Sequence, residues 1–530
     1  MTKKDTINNF APNLSSNSLE KKPVEDGIDY ERHPEAKGQI IDGEYVKDKG
    51  MNWFVAALFL VGDMAGGGIV ALPTAVQQSG FILGCTLCII MAIVGTASAI
   101  FLGKSWEHLP VKWPEYRLHC RKPYAEIGYR ALGHKVRTFV SVCLNITQFG
   151  ICVVFLLLAA RNIHDFIYSF WPGVPGLCYI IIILGIALLP IIFLKSPEDF
   201  WWAIVAGMMS TVVAVCLIMV GAKNDYEVCN PERHEPTFNI FNLFVAFGTV
   251  VFTFGGHSAF PTIQHDMKRP SQFTKSSIVA FTTICVFYAP VVIIAYLTYG
   301  DSLRDSIIPS IQTSWIQQAV NMMIAAHCIL TLTLMINPLN QETEEFFDIP
   351  HHFGVKRITI RAAMMAAIVF TAETVPNFGP VLNLMGASTV TLTCVIFPSI
   401  FYLYIKANEK KSLETGREEL CTFSEMVERT DKKVFVFCTF ILIVGLIGGV
   451  CATVSAVKEI TTTSFEVPCY LRNFYEQTQN STETSTNCCG KFQNITVGGQ
   501  EVSGYCNKPS LEFYGHWFDG NINDVKSQFD

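Results

Sequence analysis

The chain has 530 residues, half of them hydrophobic and only 16% charged, with a formal net charge of −6. Soluble domains carry about a quarter charged residues, so these proportions exclude a soluble globular protein and point to a chain that lives in a bilayer. The net charge decides nothing further, because in a membrane protein charge matters by side and not by sum.

Residues 1–49 are polar, mixed in charge and without helical periodicity, the composition of a disordered arm. No cleavable signal precedes the first apolar run, which leaves that run as the targeting element. Stretches long enough to cross about 30 Å of hydrocarbon follow near 52–76, 81–103, 138–163, 176–194, 199–221, 239–260, 276–299, 316–338, 358–375, 379–405 and 434–457, eleven expected spans in all. By these bounds the loops after spans two, four, six, eight and ten hold twenty-one Lys and Arg, against Lys223, Arg233 and Arg304 in the alternate loops. That asymmetry puts the N-terminus in the cytoplasm. With an odd number of spans the C-terminus then faces the exterior or an organelle lumen, in the plasma membrane or a lysosomal or vesicular one.

The tail, residues 458–530, agrees with this orientation. It carries sequons at Asn480 and Asn494 and the cysteines Cys469, Cys488, Cys489 and Cys506, and glycans and disulfides both belong to the non-cytoplasmic side. Three pairings of those four cysteines are open. The remaining cysteines, mostly within spans and without zinc spacing, read as small apolar fillers. A sequon at Asn145-Ile146-Thr147 falls inside span three and is read as chance.

Spans one and six share a pattern. Gly67-Gly68-Ile69-Val70-Ala71-Leu72-Pro73-Thr74 returns as Gly255-Gly256-His257-Ser258-Ala259-Phe260-Pro261-Thr262. Glycine weakens a helix and proline removes an amide donor, so each segment can unwind, and unwound backbone at membrane depth is tolerated only beside protein or a watery cavity. Five spans separate the two copies, an odd number, so the second crosses the membrane in the opposite sense. That is an inverted repeat, about 51–221 and 239–405, with span eleven (434–457) as an addition to a transporter domain of residues 50–457. At the first break the amides of Gly66, Gly67 and Gly68 become donors for an anionic group at a helix N-terminus. At the second, the carbonyls of Thr253, Phe254 and Gly255, beside Gly256, can accept from an ammonium group. Donors on one side and acceptors on the other suit a zwitterion, and the natural candidate is an amino acid.

The same residues carry a resemblance. The segment GDMAGGGIVALPTAVQQSG is similar to the first helix of the amino acid/auxin permease family, FGTVVFTFGGHSAFPTIQHDMKRPSQFTKS resembles its sixth helix and following loop, and LMINPLNQETEEF resembles a third family element. The resemblance covers about residues 50–457 and implies an all-α fold of the leucine-transporter type, with amino acid transport coupled to protons or sodium. The chain departs from the family at Gly255, where many members carry an acidic residue. Asp63, one turn before the glycines of span one, is the acid available instead, and an ionisable group at that depth costs a few kcal/mol and marks function by default.

Asp63 and His257 are therefore the expected proton-coupling groups, each with a purely structural reading beside it. Thr331 and Thr333 could offer oxygens to a sodium ion between spans one and eight. His327, with no motif around it, reads as structural. Glu342, Glu344, Glu345 and Asp348 read as solvated charge, and Asp266–Pro270 as an inner gate or a charged interfacial loop. The function expected is a secondary active amino acid transporter working by alternating access, driven by protons rather than sodium, with an amino acid and membrane lipid as partners. No nucleic-acid partner, bound cofactor or metal is implied, and the absence of phosphate-loop and nucleophile motifs argues against a pump or an enzyme. The alternative from another class is a sensor or scaffold that binds amino acids without moving them.

Overall fold

The computed structural model describes residues 37–471 apart from 172, 174, 194–200, 233–237, 301–302, 304–305, 350–353 and 464–466. Asn480, Asn494, Cys488, Cys489 and Cys506 lie outside the described residues.

Helices occupy the position of every expected span. Seven are long and apolar enough to cross a bilayer as single helices, and the halves of span one, Trp53–Met64 and Gly67–Ser79, bent by 58° at their junction, make an eighth together. Span four (Leu177–Ile192) and the first half of span six (Ile240–Thr253) are shorter, and span nine (Val355–Thr374) opens with Lys356, Arg357 and Arg361. Large apolar side chains such as Ile82, Ile186, Val286, Val436 and Val450 are more than half exposed. Water would penalise that surface and lipid does not.

Packing follows a rule of five. Span two (Phe81–Lys112) packs on span seven (Phe273–Tyr299), span three (His134–Phe170) on span eight (Ser314–Phe346), and span four on span nine. In the first pair the halves cross over: the first half of span one lies against the second half of span six (Phe260–His265), and its second half against the first half of six. Two segments related in that way run in opposite directions. This is the inverted arrangement of the leucine-transporter type, with both interrupted spans at its centre.

Span ten carries two π-helical stretches, Gly386–Val390 and Leu392–Ile396, between Phe378–Met385 and Phe397–Thr415. The Thr391 hydroxyl donates to the Gly386 carbonyl at 2.8 Å, five residues back, so a side chain helps hold the wide turn. Span eleven (Lys432–Lys458) buttresses this segment: Gly449 faces Thr391 and Gly445 faces Val395.

Three sequence expectations are revised. Residues 38–47, assigned to an unstructured arm, form a hairpin of strands β1 (Gly38–Ile41) and β2 (Glu44–Lys47). Its turn is Asp42-Gly43, both at positive φ (53° and 80°), the chemistry that a two-residue hairpin turn requires. Glu344 is not solvated. It is buried, accepting from Arg357 Nε at 3.0 Å and Arg361 Nε at 2.6 Å, while Glu342 accepts from Ser141 Oγ and Asn145 Nδ2, each at 2.8 Å. Burial reverses the reading because the C-terminal end of span eight is wedged between spans three and nine. Finally, Cys469 pairs with Cys178 at the start of span four, 291 residues away. A cysteine read as filler is a disulfide partner.

Candidate functional site

Both spans break where the glycines are. Span one ends its first half at Met64, and Ala65 and Gly66 leave helical geometry before Gly67 restarts it. Span six stops at Thr253 and resumes at Phe260. Gly256 takes φ +156° in the gap, and a Cβ there would stand 2.7 Å from Asp63 Oδ2, so only glycine lets the two breaks come this close.

The breaks enclose a cavity of about 30 Å³, lined by Asp63, Gly66, Gly67, Gly68, Gly255, Gly256 and Ser258. Span three adds Thr147, Ile151 and Phe155, span eight Met335, and the π-helical part of span ten Val390, Thr393 and Cys394. That volume admits a water or two and no amino acid, so a solute has to open it. Thr253 and Phe254 lie behind the wall: Thr253 Oγ1 donates to Thr249 O at 2.7 Å, with Gly68 O at 3.4 Å, and Phe254 stacks towards Tyr288.

The amides of Gly67 and Gly68 open the second half of span one, and neither has an acceptor among the described residues. The Gly66 amide is not free, since it donates to Met64 O at 2.9 Å. On span six the carbonyls of Thr253, Phe254 and Gly255 accept nothing among the described residues. The amides of Gly256 and His257 point at the Cys394 sulfur. The carbonyls freed in span one are taken up elsewhere, Met64 O by Tyr288 Oη at 2.9 Å and Ala65 O by Thr211 Oγ1 at 3.2 Å. Among the residues lining the cavity, span one therefore has two unpaired amides, on Gly67 and Gly68, and span six one unpaired carbonyl, on Gly255. Asp63 adds a carboxylate whose Oδ2 has no hydrogen-bond partner among the described residues.

Residues 49–447 match the family described as transmembrane amino acid transporter protein, which is most of the chain. The chain belongs to the transmembrane amino acid transporter family. Among curated relatives, it is 24% identical to amino acid transporter AVT1D of Arabidopsis thaliana over 75% of this chain and 68% of that protein. To amino acid transporter AVT1H of the same plant it is 27% identical, over 65% and 80%. The crystal structure of MhsT in complex with L-phenylalanine superposes with a TM-score of 0.46 at 11% identity, covering 77% of this chain and 100% of that one.

Within this family member the remaining site residues divide. His257 is fully buried but does not line the cavity: Nε2 bonds the Gly95 carbonyl of span two at 2.9 Å, and the ring packs on Phe260. Thr333 donates to Leu330 O in its own helix at 2.7 Å, and Thr331 bonds His327 Nε2 at 3.2 Å. His327, expected to be structural, stands against Gly66 at the break of span one. The apolar cavity wall from spans three, eight and ten also escaped sequence reading. Ile151, Phe155, Met335 and Val390 are ordinary residues in apolar helices, and a π-turn has no sequence signature. For His327 a signal existed: an ionisable group near the middle of a span.

Both ends of this centre are stapled. On the N-terminal face, Met51 and the loop after span six exchange backbone bonds, Met51 N to Asp266 O at 2.9 Å and Lys268 N to Met51 O at 2.8 Å, and Lys47 Nζ donates to His265 O at 2.5 Å. On the opposite face the chain between spans seven and eight reaches in, with Ile307 N donating to Val70 O at 2.9 Å. Asp225 holds that chain by accepting from Gln312 N at 2.8 Å and Tyr299 Oη at 2.5 Å.

Proposed function

We propose that this chain is a secondary active amino acid transporter that works by alternating access and is coupled to protons. The observation that carries the proposal is the pairing of unsatisfied amides on Gly67 and Gly68 with the unsatisfied carbonyl of Gly255 around one cavity, with the free carbonyls of Thr253 and Phe254 behind its wall. A carboxylate meets the first set, at the positive end of a half-helix, and an ammonium group meets the second. Asp63 supplies a carboxylate in the cavity wall, and its unpartnered oxygen is completed by a proton or by the substrate ammonium. The staples on the two faces open in turn, the Met51–Asp266 and Lys47–His265 contacts on one side and the Ile307–Val70 contact on the other. The charge asymmetry of the loops supports a cytoplasmic N-terminus.

Uptake of radiolabelled amino acids into proteoliposomes, run at two pH values with and without sodium, tests this reading. Accumulation at acid outside pH that ignores sodium is the expected result. Binding without accumulation belongs to a sensor and ends the proposal. Asp63→Asn is expected to weaken uptake and shift its pH dependence, and a variant with an unchanged pH profile removes Asp63 from the mechanism.

A further inference from the structure

His327 is placed where its state decides how span one is held. It lies in the middle of span eight, 1% exposed. Nδ1 is 2.9 Å from Thr211 Oγ1 and 3.1 Å from the Gly207 carbonyl, both on span five (Trp201–Cys229). Nε2 is 3.2 Å from Thr331 Oγ1. On the side of span one, a Cβ on Gly66 would stand 2.8 Å from Nε2.

These contacts assign the hydrogens. A carbonyl only accepts, so Nδ1 carries the proton of the neutral ring and directs it at Gly207 O and Thr211 Oγ1. The Thr211 hydroxyl then donates onward to Ala65 O, at 3.2 Å, inside the break of span one. Nε2 keeps its lone pair and accepts from Thr331. In the neutral state every polar atom of the cluster is satisfied, and the one proton-accepting position, the Nε2 lone pair held by Thr331, lies beside the break.

We propose that Nε2 of His327 is the proton-binding position that couples solute movement to the proton gradient, so that an imidazolium performs between spans one and eight the role the sequence suggested for sodium on Thr331 and Thr333. This rests on the transport reading above and adds the residue that carries the proton. The chemistry is one N–H bond made on a lone pair and later broken: a proton arrives from water on one side and leaves to water on the other. On protonation Thr331 turns its hydroxyl to accept. The new positive charge sits at the C-terminal end of the Trp53–Met64 half-helix, where freed carbonyls and the helix dipole favour a cation. The break is thereby drawn to span eight, and loss of the proton releases it.

Along the elements packed around this ring, the titratable groups nearest in sequence to its contacts are Asp63 on span one, Arg161 and the buried Cys152 on either side of Phe155 on span three, the exposed Cys216 and then Lys223 on span five, and Cys328 beside it on span eight. Asp63 is the acidic one nearest the break. The two groups then divide the work, with Asp63 at the solute and His327 at the hinge.

The experiment uses the full chain in proteoliposomes with a radiolabelled mixture of the proteinogenic amino acids, measuring accumulation under an imposed pH gradient and exchange without one. One coupled proton allows accumulation up to about tenfold per pH unit. His327→Gln is expected to keep exchange within about twofold of wild type, to lose gradient-driven accumulation and to flatten the pH profile. A variant that accumulates like wild type overturns the inference and leaves the transport reading intact; wild-type accumulation driven by a sodium gradient alone overturns the inference together with the proton coupling of that reading, but not amino acid transport itself. A wild-type protein that neither exchanges nor accumulates ends that reading and the inference with it. If His327→Gln also loses exchange, Thr331→Val decides: it keeps the imidazole and removes the hydroxyl that accepts from the imidazolium, and because that charge-assisted bond is stronger than the one to the neutral ring, the midpoint of the pH profile is expected to move to lower pH. An unmoved midpoint overturns the proposal.

Discussion

Gly68 is the point where the two interrupted spans touch. A Cβ there would lie 2.7 Å from Thr253 Oγ1 and 2.8 Å from Thr253 Cα, and the second of these is backbone that cannot step aside. Gly68→Ala is therefore expected to reduce uptake to below about a tenth of wild type while the protein still reaches the membrane, measured as uptake normalised to surface amount; unchanged uptake would mean the breaks do not need this contact. Gly416 is the useful contrast. It sits at φ +69° with nothing within 4 Å of a Cβ, so Gly416→Ala is strained by about 1–2 kcal/mol yet is expected to leave transport alone. At this scale the glycine pairs of spans one and six were legible because glycine and proline each weaken a helix, and the two clustered in an apolar run mark a break. The place of His327 was not: its depth in an apolar span marked an ionisable group, but nothing local distinguishes a histidine that fills a gap from one that stands at a hinge.

Among the elements, the short helix Phe423–Arg429 between spans ten and eleven is the most self-contained. Thr422 and Glu425 close a capping box, with Thr422 Oγ1 accepting from Glu425 N and Glu425 accepting from Thr422 N at 2.8 Å. The Thr422 amide first, and the Lys411 ammonium second, hold the Glu425 carboxyl down to about 2. An acid whose folded value lies below its ordinary value of about 4.3 contributes stability that is complete above that value and fades as pH falls towards 2. Hydrogen exchange of residues 422–429 is thus expected to show constant protection from pH 8 to 5 and a decline only below about pH 4; a decline between pH 7 and 5 would assign the helix to another group. The hairpin at 38–47 teaches the same lesson from the other side. Asp42-Gly43 is a sufficient local signal, and the polar composition around it masked the strands. Tyr45 and Lys47 are buried only because the hairpin docks under the loop after span six.

For the whole molecule, Glu344 ties three distant spans together. It accepts from Arg357 and Arg361 of span nine, and Arg361 Nη1 donates to Ile192 O of span four at 2.6 Å. Removing one partner of a buried ion cluster strands the rest, at a cost of about 3–5 kcal/mol. Glu344→Gln is expected to lower the unfolding midpoint in detergent by several degrees, and replacing Glu344, Arg357 and Arg361 together with apolar residues is expected to cost less than that single change; the reverse order would show that the charges stabilise the fold outright. Composition and segment pattern by themselves determined that the chain is a multi-pass membrane protein with two interrupted spans in opposed halves, because hydrocarbon acts on each segment separately and the demand for satisfied backbone is local. Only the tertiary structure decided that Cys469 meets Cys178, that Glu344 is buried, that Gly66 closes on its own chain while Gly67 and Gly68 stay open, and that His327 reaches the break of span one. Each of these turns on distances of a few ångströms set by how the helices pack, and no local pattern carries that information.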